Sequence, residues 1–149
     1  MKIAIGGDHA AFGAKNKLKD FIVTLGHEVV DFGTYSEQSC DYPEFGAKVA
    51  HAVADGACDV GVVLCTTGIG ISISANKVDG IRCALCSDVH SAEMTRRHND
   101  ANVLAMGAGL LDEKTMQDIL TTFLSTPFDG GERHVRRINK IALIEKGEL

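Results

Sequence analysis

Tryptophan is absent and proline occurs twice, at Pro43 and Pro127, in a chain of 149 residues. Sixteen glycines against two prolines mean many tight turns and no Pro-rich linker. No apolar run approaches the roughly 20 residues that a membrane-crossing helix needs. The opening stretch Met1-Lys2-Ile3-Ala4-Ile5-Gly6-Gly7 is too short an apolar run for a secretory signal. Positive charge is in deficit, with 15 Lys and Arg against 20 Asp and Glu and a formal net charge of −5. That balance argues against general binding of nucleic acid or anionic membrane. Five cysteines, an odd number without regular spacing, make no disulfide framework. The expectation is a cytoplasmic protein.

The composition is otherwise that of a globular chain, 45% hydrophobic and 23% charged. A chain of this length buries roughly 70% of its unfolded surface and needs no staples. One domain over residues 1–149 is expected. The one Cys-x-x-Cys, Cys83-Ala84-Leu85-Cys86, lies in an apolar run that has the character of a strand. Strand side chains alternate faces, so an offset of three sends these thiols to opposite sides. Both are expected to be small core residues, not a redox or zinc pair.

Short apolar runs alternate with helix-period segments. Strands are expected at Lys2–Gly6, His27–Phe32, Val60–Cys65, Ile81–Cys86 and Val103–Met106. Leu18, Phe21, Ile22 and Leu25 mark one helical face, which Gly26 ends. Phe45, Val49, Ala52 and Val53 mark a second helix, and a short one ends near Asn76. Ser87 or Asp88 caps a helix running to about His98, and Asp112 caps the next. A last helix runs from Arg133 to about Lys146. This alternation predicts an α/β fold: a doubly wound, Rossmann-like, five-stranded parallel sheet in the order 2-1-3-4-5. Helices cover both faces, and a C-terminal helix follows. In that order the ligand crevice lies between the carboxyl ends of strands one and three. Asp8-His9 and Cys65-Thr66-Thr67-Gly68-Ile69-Gly70 follow those strands.

A glycine-bearing turn after Cys65 points backbone N–H groups into the crevice, where they stabilise an anion or a thiolate. Gly68-Ile69-Gly70 is no dinucleotide fingerprint, because Ile73 stands where a third glycine belongs and the motif is not at the first strand. A phosphorylated receiver domain needs an aspartate where Cys65 stands. His98 ends a helix, where an imidazolium is favoured, and so is a candidate proton donor. The bland alternative is a solvated helix end. His9 is a candidate for acid–base work or anion binding. No two of the six histidines sit at metal-ligand spacing, and no Cys/His cluster is visible, so no metal is expected. Arg133 and Arg137 are four apart and share a helix face, which suits a phosphate, although a solvated basic surface has the same pattern.

Several segments in one order resemble the type B ribose-5-phosphate isomerase family, which includes the galactose-6-phosphate isomerase subunits. They are Gly7-Asp8-His9-Ala10, Asp41-Tyr42-Pro43, Cys65-Thr66-Thr67-Gly68-Ile69-Gly70-Ile71-Ser72, Ala75-Asn76-Lys77, Gly80-Ile81-Arg82, His98-Asn99-Asp100-Ala101-Asn102-Val103, and Gly130-Gly131 with Arg133-His134. The resemblance implies interconversion of aldose and ketose phosphates, with no metal and no cofactor. Ribose 5-phosphate and ribulose 5-phosphate are the first choice. The alternatives are a six-carbon sugar phosphate such as allose or galactose 6-phosphate, or a non-catalytic subunit that binds a sugar phosphate. By position, the resemblance makes Cys65 the base, and Thr67 with the amides of Thr66, Gly68, Ile69 and Gly70 the oxyanion cradle. It makes His98, with Asp8 and Tyr42, the ring-opening group. It gives Asn99 to substrate orientation and His9, Arg133 and Arg137 to the phosphate. It further implies a homodimer or a tetramer of dimers with shared sites, and no nucleic-acid or membrane partner. Three positions depart from the family pattern. Thr66 stands where glycine is usual, Gly109 where arginine is usual, and Glu132 interrupts the usual Gly-Gly-Arg-His. Gly109 is therefore expected to leave the phosphate end roomier, enough for a six-carbon substrate.

Overall fold

Five apolar runs pair as one parallel sheet in the computed structural model, which describes residues 1–149. The strands are β1 (Lys2–Gly7), β2 (Glu28–Asp31), β3 (Val60–Cys65), β4 (Cys83–Leu85) and β5 (Val103–Gly107). The helices are α1 (Phe12–Thr24), α2 (Tyr42–Ala54), α3 (Ile69–Ala75), α4 (Val89–Asn99), α5 (Glu113–Ser125) and α6 (Glu132–Glu145). Asp88 and Asp112 cap α4 and α5 as expected, accepting the Ser91 and Thr115 amides at 2.7 Å each. No helix is long and apolar enough to cross a membrane.

Strand residues part to two faces with period two. Ile3, Ile5, Val62, Leu64, Leu104 and Met106 pack with α1, α4 and α5. Ala4, Val63, Cys65, Val103 and Ala105 pack with α2 and α3 on the other face. The Cys-x-x-Cys divides in the same way: Cys86 joins the first cluster and Cys83 packs against the second.

The strand order is β2-β1-β3-β5-β4, which corrects the expected 2-1-3-4-5. The last two strands exchange places. β5 is buried at all five positions and needs a neighbour on each side. β4 has three residues, none fully buried, with Leu85 exposed, and a short strand of that kind suits a sheet edge. The 2-1-3 arrangement survives, so the ends of β1 and β3 still lie side by side.

Lys15 of α1 is fully buried, and its ammonium donates to both Asp31 oxygens at 2.7 Å. Lys19 adds a third bond at 3.3 Å, and Asp31 accepts the Gly33 N–H at 2.9 Å. The Gly33 carbonyl in turn accepts the Gly7 N–H at 2.8 Å, while Thr34 N–H donates to the Gly7 carbonyl at 2.7 Å. The ion pair therefore holds the backbone that leads into Asp8. Burial alone raises the Asp31 carboxyl, but Lys15, the Gly33 amide and Lys19 outweigh it and hold the group below its usual value. A lowered carboxyl gives stability that is complete above its unfolded pKa, near 4, and is lost as pH falls through the folded value. Lys15→Met should cost about 3 kcal/mol at pH 7, because it leaves a buried carboxylate without its main partner. Asp31→Asn should flatten the acid limb of stability below about pH 4. Urea unfolding at pH 7 and at pH 3 checks both. An unchanged midpoint in Lys15→Met would show that the pair holds nothing.

Candidate active site

β1 ends at Gly7, and the Asp8 N–H donates to the Leu64 carbonyl at 3.2 Å, tying the ends of β1 and β3 together. The buried Asp8 carboxylate caps a single helical turn, His9–Ala11, by accepting the Ala11 N–H at 3.2 Å. His9 faces the loop before α2, where the Cys40 N–H donates to His9 Nδ1 at 3.2 Å. A backbone amide can only donate, so Nδ1 is bare and the ring proton sits on Nε2. His9 thereby presents Nε2 as its donor.

Cys65 is the last residue of β3 and is buried. The Gly68 N–H donates to its sulfur at 3.1 Å. Gly68 has φ +76°, and a Cβ there would fall 2.6 Å from Leu85 Cδ1 and 2.7 Å from the Met106 carbonyl carbon. Only glycine makes this turn, and the turn aims the amide at sulfur, where it favours negative charge. Thr67 Oγ1 accepts the Ile69 N–H at 3.2 Å as α3 begins. Tyr42 leans over the same turn: a Cβ on Gly70 would lie 2.5 Å from Tyr42 Cζ. Burial pushes the Cys58 and Cys86 thiols up, and burial with the Cys86 charge pushes Cys83 up to about 12. Asp8, His9, Tyr42, Cys65, Thr66, Thr67, Gly68, Ile69 and Gly70 thus gather at the carboxyl edge of the sheet.

His98, Asn99, Arg133 and Arg137 do not join them. α4 starts beyond the carboxyl end of β4 and runs back to the start of β5, so its last residues lie at the opposite edge. Arg82, just ahead of β4, marks that edge by donating from Nε to the Asn99 carbonyl at 2.9 Å. A five-residue strand at ~3.3 Å per residue puts on the order of 16 Å between the two edges.

At this second edge the His98 ring stacks on His134, with centroids 4.4 Å apart and planes 2° from parallel. Arg133 Nε donates to His134 Nε2 at 3.2 Å, and Asp129 Oδ2 lies 3.7 Å from the same nitrogen. Burial pushes His134 below its usual value; Asp129 opposes, and His98, Arg133 and Arg137 add to the fall. The sequence shows no histidine cluster, but the fold makes one: ligand atoms of His98, Asp129 and His134 lie within 4.8 Å of one another. Parallel rings aim their lone pairs alongside each other, whereas a zinc ion needs them to converge at about 2.0–2.1 Å. The Arg133 guanidinium also occupies His134 Nε2. The trio suits proton handling better than metal binding. Sequence spacing missed His134 and Cys40 because their partners His98 and His9 are distant in the chain.

The sequence model of the family described as Ribose/Galactose Isomerase matches residues 3–141. The chain belongs to this family. Ribose-5-phosphate isomerase B of Escherichia coli (strain K12) is 43% identical over 145 residues, covering 97% of each chain. The galactose-6-phosphate isomerase subunit LacB of Clostridium acetobutylicum is 38% identical over 152 residues, covering 100% of this chain and 88% of its own. The solved structure of Clostridium thermocellum ribose-5-phosphate isomerase B has a TM-score of 0.97 at 50% identity, with 100% of both chains covered. This member of the ribose/galactose isomerase family is an enzyme, an aldose–ketose isomerase of sugar phosphates.

Two departures from the family pattern meet in space. Gly109 N–H donates to the Thr66 carbonyl at 2.9 Å. A Cβ at position 109 would fall 2.9 Å from Thr66 Cγ2 and 3.0 Å from the Thr66 carbonyl oxygen. Thr66 avoids positive φ, as a β-branched residue must. The expected extra room at Gly109 is therefore corrected: the Thr66 methyl fills it. Gly109→Arg alone should push Thr66 into the cradle and lower kcat/KM about tenfold, the scale of an overpacked contact. Thr66→Gly combined with Gly109→Arg should recover most of that loss, a coupling of about 1 kcal/mol or more. Assaying the four chains of this cycle on ribose 5-phosphate checks it, and simple additivity rejects the contact.

Proposed function

We propose that this enzyme interconverts D-ribose 5-phosphate and D-ribulose 5-phosphate through an enediolate, without metal or cofactor, with Cys65 as the base. The observation that carries the proposal is the Gly68 amide aimed at the Cys65 sulfur where β1 and β3 end side by side. The Cys65 thiolate takes the C2 proton of the open-chain aldose. Charge develops on the C1 oxygen, where Thr67 and the amides of the turn from Thr66 to Gly70 receive it. The thiol returns its proton to C1, the C2 hydroxyl proton passes to the C1 oxygen, and the ketose results. His98, assisted by Asp8 and Tyr42, opens the sugar ring, and Asn99 orients the chain. His9 Nε2–H, Arg133 and Arg137 hold the phosphate. The Escherichia coli relative carries the name of this activity. A second reading, turnover of allose or galactose 6-phosphate, is favoured by the resemblance to LacB. A kcat/KM panel of pentose and hexose phosphates separates the two, and a purified chain with no turnover supports a binding subunit instead.

The working form is a homodimer, or a tetramer of dimers, built from one isomerase domain over residues 1–149 and acting in the cytoplasm. The Cys65 and His98 sets lie at opposite edges of the sheet, so a second copy brings the missing half to each. α6 supports this arrangement, because His134 is its one buried residue while Val135, Ile141 and Ile144 are exposed. A two-fold axis gives two equal sites.

Cys65→Ala should fold normally and lose about 100- to 10,000-fold in kcat, the range for a general base, with KM little changed. Iodoacetamide should label Cys65 ahead of Cys83 and Cys86, and a sugar phosphate should protect it. Near-normal kcat in Cys65→Ala would falsify the assignment. Mixing inactive Cys65→Ala with inactive Arg137→Ala and allowing subunits to exchange should restore about one quarter of the wild-type rate, because half the dimers are mixed and each has one intact site. No recovery after proven exchange places each site within one chain.

A further inference from the structure

We infer that His134 is the positioning residue for His98: it fixes the plane of the His98 ring and confines the proton of the stacked pair to His98. This rests on the proposed role of His98 in opening the sugar ring. The stack joins the last turn of α4 to the first turn of α6, and it is the one place where an α6 side chain is buried. His98 lies at a helix end with no side-chain hydrogen bond of its own to orient it, so the flat face of His134 is what sets its plane.

The hydrogen bonds on His134 settle which ring takes the proton. Arginine can only donate, so the bond from Arg133 Nε leaves His134 Nε2 bare and the ring neutral. A second proton on His134 breaks that bond and sets a cation against Arg133, with Arg137 one turn further along α6. It also sets two cations face to face at 4.4 Å if His98 is charged. Asp129 is the one carboxylate beside the pair, and it stays ionised: the Gly131 amide is the main cause, and His134, His98 and Arg97 assist. The pair, facing Asp129 from one side and Arg97, Arg133 and Arg137 from others, has room for a single positive charge, and only His98 is free to carry it.

His134→Phe and His134→Leu test this. Phenylalanine keeps a flat face that cannot take a proton; leucine removes the face. In solution NMR the His98 ring protons should be shifted upfield by the stack in wild type and in His134→Phe, and should move toward free-imidazole positions in His134→Leu. On ribose 5-phosphate, which enters mostly as a ring, His134→Leu should lose about tenfold or more in kcat with KM within about threefold, while His134→Phe keeps at least about half the rate. Solvent-deuterium exchange at C1 of ribulose 5-phosphate needs Cys65 but no ring opening, because the phosphate blocks the hydroxyl that would close a ring. That exchange should change less than about twofold in either variant. Equal kcat losses in Phe and Leu, or unmoved His98 resonances in Leu, overturn the inference. Full activity of His98→Asn on ribose 5-phosphate overturns instead the role of His98, and the ring-proton shifts still report whether His134 holds the ring.

Discussion

A parallel sheet has two unlike edges, and that polarity governs everything the molecule can do. Every strand ends at one edge, so turns that leave strands can meet there, as those after β1 and β3 do. Every returning helix ends at the other edge, so a residue in a last helical turn is carried away from the strand ends by the helix itself. An eleven-residue helix such as α4 spans about 16 Å, nearly the height of the sheet. Cys65 and His98 are consequently fixed apart by backbone geometry that no side-chain rearrangement can undo. What the chain offers at each edge is a rigid half.

Rigidity at the carboxyl edge comes from an unusual source. A fully buried lysine is costly to desolvate, and a hydrophobic pair of similar shape is often as stabilising. What the Lys15–Asp31 pair supplies is direction: both carboxylate oxygens and the Gly33 amide are committed, so the turn after β2 has one way to meet Gly7. The backbone entering Asp8 and His9 inherits that register. At the opposite edge the Arg82 and Arg96 pairs with Asp100 are joined by a stack, through which the first turn of α6 rests on α4.

Much of this was legible in the sequence, and the limits have physical causes. Period-two burial and the alternation of strands with helices gave the five strands, the two-faced sheet and the separation of Cys83 from Cys86, because these depend on neighbours along the chain. The caps at Asp88 and Asp112 are equally local. Strand order is not: Ile81–Cys86 is apolar apart from Arg82 and Val103–Met106 is apolar throughout, and only the pairing shows that the first contributes a short edge strand and the second a central one. The cradle after Cys65 was visible because one turn contains it. His134 sits between Arg133 and Arg137 in sequence, while its stacking partner His98 lies on another helix. Thr66 and Gly109 were each visible as departures from the family pattern, but their contact is a property of the fold.

That contact constrains how such a cradle can diverge. The methyl at position 66 and a side chain at position 109 claim overlapping volume, and the carbonyl oxygen of residue 66 crowds the same point whatever its side chain. With glycine at both positions, no side chain would occupy the space between them, and this part of the cradle would be looser than in the present chain.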